Sequence, residues 1–188
     1  KTVQKLPTPV QSESFPSLER VGSELQYSNS RMNVAMESQL QQLVEKNLSL
    51  FLYEDAKFYA ERLYYENKCE ENLHLLAQCY FRQGKVKQAY LVLQGGRNNT
   101  DNRYLLATCC LSLNKLEEAE KALIPFPHCQ PQNLTPAQAA QVPGGGAGLY
   151  LLGMVCRRAQ RTEAAIKYFT LALEQDQSLW GAVQELAE

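Results

Sequence analysis

Leu73–Leu93 reads LHLLAQCYFRQGKVKQAYLVL, Tyr104–Ile124 reads YLLATCCLSLNKLEEAEKALI, and Leu149–Leu173 reads LYLLGMVCRRAQRTEAAIKYFTLAL. Laid over one another, each gives an apolar run of helical period, a polar break and a second such run. A small residue recurs at two places in each: Ala77 with Ala89, Ala107 with Ala119, and Gly153 with Ala165, twelve residues apart every time. A constant small-to-small spacing marks where two helices approach most closely, because a larger side chain there would overpack the contact.

This pattern fits the tetratricopeptide repeat, a helix-turn-helix unit of about 34 residues, with the small residues at repeat positions 8 and 20. Leu76, Leu106 and Leu152 take position 7, and Tyr80, Cys110 and Cys156 take position 11. Gly84 and Asn114 fall at the helix-to-helix turn, where both tolerate a positive φ. A weaker copy runs from Ser38 to Tyr65, with Val44 at position 8 and Ala56 at position 20. The predicted fold is therefore all-α, a tetratricopeptide-repeat solenoid of antiparallel helix pairs.

Working outward, residues 37–176 hold about four such pairs. Residues 1–36, with Pro7, Pro9 and Pro16 among Ser, Gln and Glu, lack a sustained apolar period and are expected to be a disordered extension. A Pro/Gly-rich insertion near 125–146 is expected to be a surface loop, with Gly144, Gly145 and Gly146 a flexible entry into the fourth pair. Residues 177–188 read as the start of a further helix whose apolar Leu179, Val183 and Leu186 make no polar cap, so further repeats are expected beyond it.

The chain has 188 residues, 45% of them hydrophobic and 21% charged, with a formal net charge of -1. That balance creates no field drawing the protein to nucleic acid or an anionic membrane. Its apolar runs are far shorter than the ~20 residues of a membrane-spanning helix. With no secretory pattern at the start, the reading is a fragment that is intracellular by default. The 6 cysteines show no CxxC spacing and read as reduced thiols, and the neighbouring His128 and Cys129 are a poor metal pair. Glu70/Glu71 and Glu117/Glu118 begin helices, where negative charge favours the dipole, so neither pair reads as an acid-base site. With no nucleophile elbow and no phosphate loop, the chain reads as a non-enzyme without cofactor. Thr8-Pro9 and Thr135-Pro136 are candidate sites for proline-directed kinases.

Stacked pairs present a face lined by the first helix of each repeat, at positions 2, 5, 9 and 12. Position 5 gives Gln41, His74, Tyr104 and Tyr150, position 9 Glu45, Gln78, Thr108 and Met154, and position 12 Leu48, Phe81, Leu111 and Arg157. No Lys/Asn clamp for a terminal carboxylate is present, and such a group would be costly to bury here. Leu48, Phe81, Tyr104, Leu111, Tyr150 and Met154 instead predict an apolar protein-binding groove suited to an amphipathic helix. Ala56, Ala77, Ala89, Ala107, Ala119, Gly153 and Ala165 are the predicted packing contacts between helices.

Beyond the generic repeat, the runs AERLYYE, AYLVLQG, YLLATCC and SLW, in this order, resemble the cell division cycle protein 27 family, subunit 3 of the anaphase-promoting complex. The likeness extends from Glu37 to the C-terminal end. It implies a non-catalytic scaffold of a multisubunit, cell-cycle-regulated ubiquitin ligase, acting in nucleus and cytoplasm and at the mitotic spindle. It further implies a homodimer formed by these repeats and contacts with sibling subunits, with coactivators bound by C-terminal repeats absent here. The alternative is a generic repeat adaptor, unrelated to the ligase, that takes a foreign amphipathic helix in its groove.

Overall fold

The computed structural model describes residues 18–96, 99–124, 134 and 136–187, with residues 18–33 and 136 described by their backbone alone. Among them every regular element is a helix. These are α1 Leu18–Ser49, α2 Tyr53–Glu66, α3 Glu70–Arg82, α4 Val86–Leu93, α5 Thr100–Ser112 and α6 Leu116–Leu123. After them come α7 Pro136–Ala139, α8 Gly146–Arg158, α9 Thr162–Gln175 and α10 Trp180–Ala187. Two compact units divide at Ser38/Gln39. In the second, the end of α1 with α2, then α3 with α4, α5 with α6, and α8 with α9 make the four predicted pairs.

The pairs close by one repeated turn. Phe51, Gly84, Asn114 and Gln160 all have positive φ, at 61°, 76°, 58° and 61°. Each stands five residues before the position-20 alanine of its pair. The amide one residue further on bonds back across the turn: Leu52 to the Asn47 carbonyl at 2.9 Å, Lys85 to Tyr80 at 3.0 Å, Lys115 to Cys110 at 2.8 Å and Arg161 to Cys156 at 2.9 Å. This is the Schellman closure of a helix, in which a left-handed residue lets the chain satisfy carbonyls the helix leaves open. The residue after the turn then opens the second helix, and in three pairs it is basic. Lys85 reaches Glu54 at 3.1 Å and Arg161 reaches Glu120 at 2.8 Å, each tying its pair to the preceding one.

Ala56, Ala77, Ala89, Ala107, Ala119, Gly153 and Ala165 are all buried. Gly153 lies against the Phe169 ring so closely that a Cβ would overlap it. Cys79, Cys109, Cys110 and Cys156 are buried and unbridged, and Cys69 is half-buried. Burial pushes the thiols of Cys79 and Cys109 up to about 12 and that of Cys156 to about 11, so these are inert core residues. On the second helices, Tyr90 donates to Glu118 at 2.6 Å and accepts from Lys115 at 2.8 Å and from Gln94 at 2.6 Å, bracing α4 against α6.

Two expectations are corrected. Residues 18–36, expected to be part of a disordered extension, belong to α1. No proline follows Pro16 before Pro125, and the intervening polar residues at 18–36 are compatible with helix even without an apolar stripe. Residues 1–17 lie outside the described residues, as do His128, Cys129, Thr135 and Asn98. The insertion near 125–146 is not a surface loop where it is described. Leu134, Ala139, Val142 and Pro143 are buried, the first three within the main core. Gly144 and Gly145 form a tight turn of positive φ and Gly146 begins α8. Sparse apolar residues in a Pro/Gly-rich run anchor it, because they are buried with the side chains of the helices.

Candidate protein-binding face

The first helix of each pair carries the predicted face, and the structure treats its polar and apolar positions differently. At position 5, Gln41 donates from Nε2 to Asn72 Oδ1 at 3.3 Å, and Asn72 donates in turn to the Asn67 carbonyl at 3.0 Å. One pair further on, Asn102 donates to the Glu70 carbonyl at 3.3 Å, so its Oδ1 accepts from His74 Nδ1 at 3.0 Å. Asn72 and Asn102 are fully buried and occupy the same place, five residues before Ala77 and Ala107. A buried amide needs partners or costs ~1–3 kcal/mol, and here each pairs with the repeat before it. These asparagines were missed by the sequence reading. The internal comparison that found the alanines would have found them too, as a matching polar residue in two aligned repeats.

Of the six predicted groove residues, Leu111 is a core side chain and lines no open surface. Position 12 turns toward the following pair here, and Arg158 caps the same region by donating to the Leu111 carbonyl at 2.7 Å. Tyr104 is half-buried, and Gly144 lies close against its ring: a Cβ at 144 would sit 2.6 Å from Tyr104 Cδ2. Tyr150 is wedged between the Phe169 ring, 5.8 Å away centre to centre, and Gly181 of α10. Phe81 and Met154 are half-buried against the main core and Leu48 against the smaller core of Val44, Ala56, Ala60, Leu76 and Cys79. The six side chains therefore do not form one continuous open apolar groove; much of their surface is used between repeats.

Exposed large apolar side chains lie elsewhere: singly at Leu91 of α4 and Ile166 of α9, on α10, and in greatest number on the first pair. Leu50, Phe51 and Leu52 cover its turn and Phe58 and Tyr65 stand along α2, with Phe51 74% and Tyr65 80% exposed. Phe58 and Tyr65 flank a shallow hollow with Glu61, Arg62 and Glu66. Phe51 packs edge-on to Tyr53 at 6.3 Å, and Phe58 edge-on to Tyr59 at 5.4 Å. Phe51 is also a bulky residue held at positive φ, where the matching turns have Gly84 and Asn114. This conformation costs on the order of 1 kcal/mol for a residue with a Cβ, and the fourth pair bears the same cost at the exposed Gln160, also at φ 61°. Tyr80 donates to Glu61 at 2.7 Å; burial first, and the carboxylate second, push its phenol up to about 12. On α10, Trp180, Val183 and Leu186 are exposed while Ala182 is buried. No group of three metal-ligating side chains occurs among the described residues, and no described helix is long and apolar enough to cross a membrane.

Comparison with known proteins fits this architecture. Residues 49–126 match the family described as anaphase-promoting complex, cyclosome, subunit 3, and residues 147–179 match a tetratricopeptide repeat. The chain is 40% identical over 151 residues to cell division cycle protein 27 homolog A of Arabidopsis thaliana, covering 80% of this chain and 20% of that protein. It is 45% identical over 89 residues to the cell division cycle protein 27 homolog of Homo sapiens, covering 47% of this chain and 11% of that protein. The chain thus spans about a fifth of the length of the plant relative. Among solved structures, the APC/C hetero-tetramer Cut9-Hcn1 superposes with a TM-score of 0.68 at 23% identity, over 80% of this chain and 28% of that one. YrrB, a TPR protein with an unusual peptide-binding site, gives 0.64 at 16% identity over 81% and 75%. At such identities these two likenesses speak for the fold alone.

Proposed function

We propose that the chain, whose residues 49–126 match the anaphase-promoting complex subunit 3 family, is part of a subunit of this ubiquitin ligase, serving as a non-catalytic scaffold that self-associates. The observation that carries self-association is the exposed apolar set on the first pair, Leu50, Phe51, Leu52, Phe58 and Tyr65. Several large apolar side chains exposed on one helix pair suit an interaction site in a water-exposed chain. A two-fold contact that lays one first pair against the repeats of a second copy would cover the set in both copies at once. Near-neutral net charge suits this, since it opposes neither self-contact nor docking among sibling subunits. Sibling subunits of the ligase are the further partners, and action in the nucleus and cytoplasm and at the mitotic spindle goes with them.

Sedimentation of the chain at micromolar concentration tests the reading. A dimer is expected, with Phe51→Asp combined with Tyr65→Asp shifting it to monomer while helicity by circular dichroism stays unchanged. A monomer throughout the concentration range would exclude self-association, and failure to co-purify ligase subunits from cells would remove the wider assignment.

A further inference from the structure

We infer that the segment around Ala139–Gly146 is a built-in occupant of the repeat face: a strap that covers Tyr104 and leaves docking to the first two pairs. The confinement of docking rests on the self-association reading; the cover itself does not.

Three features seat the strap. Leu134, Ala139 and Val142 enter the main core, which runs from the second pair to α10. The backbone then winds tightly, with Gln141 donating to the Gln138 carbonyl at 3.0 Å and Gly145 to the Val142 carbonyl at 2.9 Å. Finally, two glycines permit approaches that no other residue could make. Gly144, at φ 82°, lies on the Tyr104 ring, and Gly148 receives the Pro143 carbonyl where a Cβ would otherwise project.

The position of Tyr104 gives the strap its meaning. Position 5 is the register place from which a repeat meets a ligand laid along its first helices. Gln41 and His74 at that place bond to asparagines of the next pair, but Tyr104 meets the main chain of the strap itself. A main-chain turn laid against an aromatic ring, preceded by the buried Ala139, Val142 and Pro143 and followed by the buried Leu149, takes the place on the face that a bound chain would occupy. Here it is intramolecular, so it carries no loss of translational freedom and competes at high effective concentration. A partner helix therefore meets an occupied face at the third pair and an unstrapped one at the first two.

Hydroxyl-radical footprinting of the whole chain, read by mass spectrometry over a range of protein concentrations, tests this. The half-buried Tyr104 is expected to be oxidised severalfold more slowly than the 80% exposed Tyr65 in the most dilute sample, because the strap covers part of its ring. Its protection should not change with concentration. Protection lost on dilution would assign the cover to a second copy and overturn the strap, and a rate equal to that of Tyr65 would do the same. Gly144→Val, which places a branched Cβ into the Tyr104 ring, should raise the Tyr104 rate severalfold; Val142→Asp is the second variant should the first misfold. A chain that stays monomeric while Tyr104 remains protected would remove the self-association reading and leave the strap standing.

Discussion

The junction between the second and third pairs and the junction between the third and fourth use one frame and opposite chemistries. In the first, Asn102 is buried at position 3 and bonds to the Glu70 carbonyl and to His74, so polar groups are satisfied across the repeat boundary. In the second, the same register place is Gly148 and the place of His74 is Tyr104; Gly148 admits the Pro143 carbonyl and Tyr104 receives Gly144. The regular junction needs a side chain that fills and bonds. The interrupted one needs the absence of a side chain, because an insertion must pass there.

The largest expected effect follows from that absence. Gly148→Ala would place a methyl on the Pro143 carbonyl oxygen and against Val142 Cγ1. A main-chain oxygen cannot turn aside as a flexible side chain can, so the cost should reach ~3 kcal/mol, at the upper end for overpacking. Thermal unfolding would show a Tm lower by several degrees. An unchanged Tm would mean that the insertion is not held at this junction.

At the regular junction the loss should be smaller. Asn102→Leu keeps the approximate volume but leaves the Glu70 carbonyl and the His74 ring without their partner. Unpaired buried polar groups cost ~1–3 kcal/mol, less than displacement of a main chain. Denaturant unfolding should report this as a lower midpoint with the same slope. If Asn102→Leu proved more damaging than Gly148→Ala, the polar junction and not the strap would be the more rigid of the two.

The regular part of this fold was legible because its determinants are local. Small residues at positions 8 and 20, Gly84 and Asn114 at the turns and leucines between them follow from close helix crossing and Schellman closure, which any repeat must satisfy. What escaped the sequence was set by neighbours distant in the chain. Leu111 and Tyr150 occupy face positions by register, but Leu111 is taken up by the core and Tyr150 by α9 and α10. Val142 and Leu134, isolated in a Pro/Gly-rich run, gain their role only once the helices around them exist. Helix at 18–36 escaped for the complementary reason: polar helix-compatible residues without an apolar stripe give no periodic signal. The asparagines were accessible to alignment but not to a search restricted to apolar residues.

The same two regions differ once more, at their turns, and this gives the smallest and most discriminating effect. The second and third pairs close on Gly84 and Asn114, and the fourth closes on Gln160 at φ 61°. A left-handed residue with a Cβ costs on the order of 1 kcal/mol, a cost glycine avoids. Gln160 is exposed, so Gln160→Gly should raise stability by roughly 0.5–1 kcal/mol, with the entropy of the freer unfolded chain taking back part of the gain. Phe51→Gly makes the same change in the first pair, where the side chain is also exposed but belongs to the apolar set proposed for self-association. Both variants should therefore unfold at higher temperature, while Phe51→Gly alone weakens the dimer in sedimentation. If Phe51→Gly stabilises and leaves the dimer unchanged, the strained aromatic contributes nothing to association, and the apolar contact must rest on Leu50, Leu52, Phe58 and Tyr65.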